Sequence, residues 1–169
     1  RTAQIAFDIG FEGAPITYSW PSQGRLAMYF RDEASVAWTV THLEQFLEDV
    51  QNRTGVKRLH VIAHSMGNRA LVGALERLVL KKPQEQPMLD QVILAAPDVD
   101  ADEFTSRYAA MVRRSARQAT LYASSTDKAL LASMKLHGYR RLGLTSAPLP
   151  NIDGVDFVDV TPFDTSLLG

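Results

Sequence analysis

Apolar and polar residues alternate along the chain in two rhythms. Short, nearly continuous apolar runs are separated by longer stretches in which apolar residues recur every three or four positions. The first rhythm suits buried parallel strands; the second suits helices with one face turned to a core. Residues 2–9 predict the end of a helix stopped by Gly10. Residues 15–20, rich in β-branched and aromatic types and followed by Pro21, predict a strand and turn. Residues 32–51 predict the clearest helix, with Val36, Val40, Leu43, Leu47 and Val50 on one stripe, Asp32 or Ser35 as cap and Gly55 beyond its end. A strand over 59–63 and a helix over 66–81 follow, then a strand over 91–96 closed by Pro97. Phe104, Tyr108, Met111 and Val112 form a helical stripe. Strands at 119–123 and 155–160 flank a helix over 127–137. This alternation predicts one α/β domain over residues 1–169, with a mainly parallel sheet and helices on both faces. Ligands of such sheets sit beyond the carboxyl ends of the strands, so the residues that follow each strand matter most.

Composition narrows the chemistry. The 169 residues carry 18 Lys+Arg and 19 Asp+Glu, a formal charge of −1, which gives no electrostatic reason to expect nucleic acid as a partner. The chain has no cysteine, which excludes disulfides, thiolate metal sites and a cysteine nucleophile. No apolar stretch is long enough to span a bilayer. The residue pattern implies no cofactor and no metal: Asp98, Asp100 and Asp102 are spaced like the start of a calcium loop but lack its glycine and distal glutamate.

The segment that carries chemistry is Ala63-His64-Ser65-Met66-Gly67, directly after the most apolar strand and directly before a helix. It is the G-x-S-x-G pattern with alanine for the first glycine. In that pattern a serine occupies a sharp, strained strand-to-helix turn, with small residues two positions to either side. Ser65 is then a candidate nucleophile, and the Met66 N–H, at the positive end of the helix, a candidate oxyanion donor. The plain alternative is a serine that caps a helix.

A serine nucleophile needs a base and an acid that orients the base. Asp127 follows the third strand and is the first candidate acid; Asp98, after the second strand, is the alternative, and either residue type serves equally well as a helix cap. None of the four histidines suits the base. His60 lies about 16 Å from Ser65 along an extended strand. His64 is the sequence neighbour of Ser65, His42 precedes it on an early helix, and His137 falls about 15 Å away if its helix runs back from the site. Asn68 and Arg69, on the first helical turn, are placed to bond loops around the site or to be solvated. Trp20, Tyr29 and Trp38 suit the core more than a pocket.

Together these segments resemble a bacterial family of α/β-hydrolases of unknown function, grouped with esterases and lipases. The resemblance rests on Ser19-Trp20-Pro21-Ser22 with Gly24, Tyr29 and Asp32; on 61–70; on 96–101; on 121–125 with Asp127, Ala129 and Leu130; and on Asp159-Val160-Thr161 with Ser166-Leu167-Leu168-Gly169. It implies an α/β-hydrolase sheet truncated at both ends, in which a strand before Thr2 and a histidine just after Gly169 belong to the whole protein. It implies that Ser65 and Asp127 act on a small ester substrate, with the base supplied by that histidine. A hydrolase-fold module that binds without turnover is the competing expectation. Loss of the strand also implies bare sheet edges and an oligomer formed through them.

Overall fold

A computed structural model describes residues 2–23, 28–81, 86–145 and 151–163. Gly24 and the 166–169 segment of the resemblance lie outside the described residues. The elements in order are α1 (Thr2–Asp8), α2 (Tyr29–Thr54), β1 (His60–His64), α3 (Gly67–Lys81), β2 (Leu89–Ala95), α4 (Ala101–Glu103) running through a π-helical turn (Phe104–Tyr108) into α5 (Ala109–Ser115), β3 (Ala116–Ala123), α6 (Lys128–His137) and β4 (Asp156–Asp159).

The four strands pair in the order β1-β2-β3-β4, all parallel. Register aligns Ala63 with Leu94 and Leu94 with Leu121, so these side chains share one face. That face packs on the helical layer. Leu71, Leu75 and Leu78 of α3 and Val112 of α5 join Val92, Leu94 and Leu121 in one apolar cluster. Each such leucine taken from water contributes roughly 1.5–3 kcal/mol. On the opposite face β1 presents His60, Ile62 and His64 to solvent, with Ile62 49% exposed. The parallel sheet layered with helices is the α/β architecture expected.

Helix α2 packs along α3 and extends farther at both ends than its stripe suggests. Val36, Leu43, Leu47 and Val50 are buried as expected, with Thr39. A Cβ on Gly73 would come within 2.9 Å of Val40, so glycine allows the two helices their close approach. Gly55 ends α2 at φ 66°, the left-handed cap that glycine adopts without strain. Neither Asp32 nor Ser35 caps the helix. Asp32 instead accepts from the Ser22 hydroxyl and the Gln23 N–H, and the Ser35 hydroxyl donates to Arg31.

Residues 15–20 are not a strand. They carry strand-forming side chains, but β-propensity records fit to a paired, half-buried surface, and no described strand pairs with them. Tyr18 and Trp20 pack against the core instead, Tyr18 with its ring centroid 5.1 Å from that of Phe46. Trp38, expected in the core, is 59% exposed and lies with its ring tilted against that of His42 one helical turn away.

Candidate functional site

The backbone leaves its ordinary range at the ends of β1 and β2, where Ser65 and Ala96 stand at positive φ. Ser65 has φ 50°, a left-handed conformation that costs a residue with a Cβ about 1–2 kcal/mol. Its backbone is held on three sides. The Ser65 N–H donates to Ala95 on the neighbouring strand at 3.0 Å, and its carbonyl accepts from the N–H groups of Asn68 and Asp98. The carbonyl also accepts from the Asn68 side-chain amide, which bonds Ala95 as well. Asn68 is fully buried and joins the elbow to β2, a positioning role that its place on the first turn of α3 only hinted at.

The hydroxyl is treated differently. Ser65 is partly exposed, and among the described residues its Oγ makes no hydrogen bond. The Met66 N–H at the start of α3 likewise has no described acceptor, although the Met66 side chain is buried. A strained serine with an unengaged hydroxyl beside an unengaged N–H at a helix start is the arrangement that acyl transfer uses. One expected feature is absent. A Cβ on Gly67 would meet nothing within 4 Å, so crowding does not require glycine there.

The two candidate acids sit in unlike surroundings. Asp127 is half-buried at the end of β3 and caps α6, its Oδ1 accepting from the Leu130 N–H at 2.9 Å. Its Oδ2 has no hydrogen-bond partner among the described residues. Asp98 is 2% exposed and fully enclosed. Oδ2 accepts from the Tyr29 hydroxyl at 2.5 Å and Oδ1 from the Ser133 hydroxyl at 2.7 Å. Arg69 stands 3.4 Å from Oδ2 and Arg141 3.5 Å from Oδ1. The possible cation site at Asp98, Asp100 and Asp102 is otherwise occupied: Asp100 caps α4, accepting from the N–H groups of Asp102 and Glu103. No group of three His, Cys, Asp or Glu able to hold a metal occurs among the described residues.

Arg69 ties this network together. Its Nε donates to the Asp98 carbonyl, Nη1 to Glu33 and Nη2 to Tyr29, all at 2.5–2.6 Å. Burial works against the Arg69 charge, but the Asp98 carboxylate and its other partners hold its pKa above the ordinary value. Burial also raises the Glu33 pKa, and the opposing hydrogen bond and charge of Arg69 bring it below the usual carboxylate value. The Tyr29 phenol is pushed up to about 12, chiefly by burial and then by its bond to Asp98. His137 is absorbed into the same network, with Nδ1 2.8 Å from the Ser133 carbonyl and Nε2 3.2 Å from Glu33. Tyr29, Glu33, Ser133 and Arg141 carried no signal of this in the sequence, because the fold brings them together from three separate segments.

No helix among the described residues is long and apolar enough to cross a membrane. No curated protein and no solved structure matches the chain. One family model does, described as "Alpha/beta hydrolase of unknown function (DUF900)", over residues 1–168. With a parallel sheet, helices layered on it and a strained serine where strand hands over to helix, the chain belongs to this family of α/β-hydrolases.

Proposed function

We propose that the protein is a serine hydrolase that cleaves small carboxylic esters, with Ser65 as nucleophile. The observation that carries this reading is the left-handed backbone of Ser65 combined with its unengaged hydroxyl. Ser65 Oγ adds to the ester carbonyl carbon and its proton passes to a histidine base. The Met66 N–H stabilises the oxyanion of the tetrahedral intermediate. Collapse expels the alcohol, which takes the proton back from the histidine. Water, activated by the same base, then releases the acid and restores the serine. Asp127 orients the base. Its Oδ1 is fixed by the helix cap, which leaves Oδ2 for an imidazole N–H. Asp98 is the poorer acid, since both of its oxygens already accept hydrogen bonds from neighbours. The base is the histidine that the family resemblance implies; His137 is bonded to the Ser133 carbonyl and to Glu33 instead.

The test is hydrolysis of p-nitrophenyl butyrate by the full-length protein. Ser65→Ala abolishes turnover. Asp127→Ser retains a side-chain oxygen for the cap but removes the carboxylate, so melting temperature holds while kcat falls by about 10³–10⁴-fold. Unchanged kcat in Asp127→Ser removes Asp127 from the mechanism. Turnover that persists in Ser65→Ala removes the whole reading.

A further inference from the structure

A cleft of about 810 Å³ opens in the helical layer between α2, α3, the π-helical turn and residues 137–141. Ser65 is not among the residues that line it. Val36, Val40, Val72, Val99 and the Tyr108 ring give it an apolar wall. Four guanidinium groups also line it, and three of them are fully paired. Arg69 holds Glu33 at 2.6 Å, Arg77 holds Glu44 at 2.9 Å, and Arg107 holds Glu76 at 2.7 Å as well as Glu103.

Arg141 is the exception. Its side chain is only 4% exposed, yet among the described residues it makes no hydrogen bond, and its Nε is buried without a partner. The nearest carboxylate, Asp98 at 3.5 Å, already accepts hydrogen bonds from Tyr29 and Ser133. The charge of Arg141 is therefore balanced while its donors are not. Nε is sealed against Asp98, so the two Nη groups, which make no hydrogen bond among the described residues, are the donors that a ligand in the cleft can reach.

The geometry points to a binding site for a small monocarboxylate with an apolar body. The planar fork of Arg141 matches a carboxylate in two-point contact, and the valine wall receives the hydrocarbon. Carboxylates of Glu33, Glu76, Asp100 and Glu103 at the same cleft repel a multiply charged phosphate. The site is independent of Ser65 chemistry.

Titration calorimetry with octanoate tests it, with octan-1-ol and inorganic phosphate as comparison ligands. Octanoate gives a saturable heat; the alcohol and phosphate give none. Arg141→Lys keeps the charge, loses the fork and weakens octanoate binding by about tenfold or more. Ala37, an exposed residue of α2 that lines the cleft, supplies the second variant: Ala37→Trp fills the space at little risk to folding and abolishes binding. Ser65→Ala binds as the parent does. Equal binding of octan-1-ol, binding of phosphate in place of octanoate, or octanoate binding that survives Ala37→Trp overturns the proposal. Binding lost in Ser65→Ala also overturns it, because the ligand would then occupy the serine site.

Discussion

Two strand ends lie side by side in this molecule; both carry a left-handed non-glycine residue, Ser65 after β1 and Ala96 after β2, and they differ in what their side chains do. At the end of β1, Ser65 holds a strained backbone and a hydroxyl with no described partner. At the end of β2, the Asp98 side chain is sealed from solvent and has hydrogen bonds to both oxygens. The two are directly linked, since the Asp98 N–H donates to the Ser65 carbonyl at 3.2 Å. The contrast assigns the roles. Strain and an unspent hydroxyl persist only where neighbouring structure holds them in place. The Asp98 network, with Arg69 and Asn68, is what holds Ser65.

The largest expected effect comes from breaking the sealed end. Asp98→Ala leaves Arg69 and Arg141 without their shared carboxylate and destabilises the protein by about 3–5 kcal/mol in chemical denaturation, as removal of one partner from a buried ion pair does. A loss below 1 kcal/mol would mean that the network contributes little and that Ser65 is held by its own strand.

A smaller effect separates two glycines. A Cβ on Gly143 would lie 2.7 Å from backbone atoms of Ala96 and Pro97, which cannot swing away. Gly143→Ala therefore costs about 1–3 kcal/mol. Gly67→Ala, with open space around it, stays within about 0.5 kcal/mol of the parent. Equal melting temperatures for the two variants would contradict this reading of the loop behind the elbow.

The smallest effect is a gain. Ser65→Gly removes the Cβ from a left-handed position and raises stability by about 1 kcal/mol relative to Ser65→Ala, while both variants lack the hydroxyl. If the glycine variant is no more stable than the alanine variant, the elbow is relaxed in solution.

The same contrast explains what could be read from the chain itself. The elbow was legible because it is local: an apolar run, a serine and a helical stripe follow one another within twenty-odd positions. Parallel strands buried on the core side advertise themselves in the same way, as 89–95 and 116–123 do. The apolar stripe at Phe104–Tyr108 predicts plain helix, because a π-helical turn inserts its extra residue without disturbing the apolar composition. Residues 15–20 predict a strand that does not form, because side-chain preference cannot supply a pairing partner. The Asp98 network was invisible because Tyr29, Arg69, Ser133 and Arg141 come together only after folding. Asp98 and Asp127 look alike in sequence, each an aspartate just past a strand; only their surroundings distinguish a sealed anchor from a carboxylate with one oxygen to spare.

The most direct measurement is covalent labelling of the full-length protein with a fluorophosphonate, followed by mass spectrometry of its peptides. The account predicts one adduct, on the Ser65 hydroxyl, and none in Ser65→Ala. A folded protein that stays unmodified, or that carries the label on another serine, would contradict it.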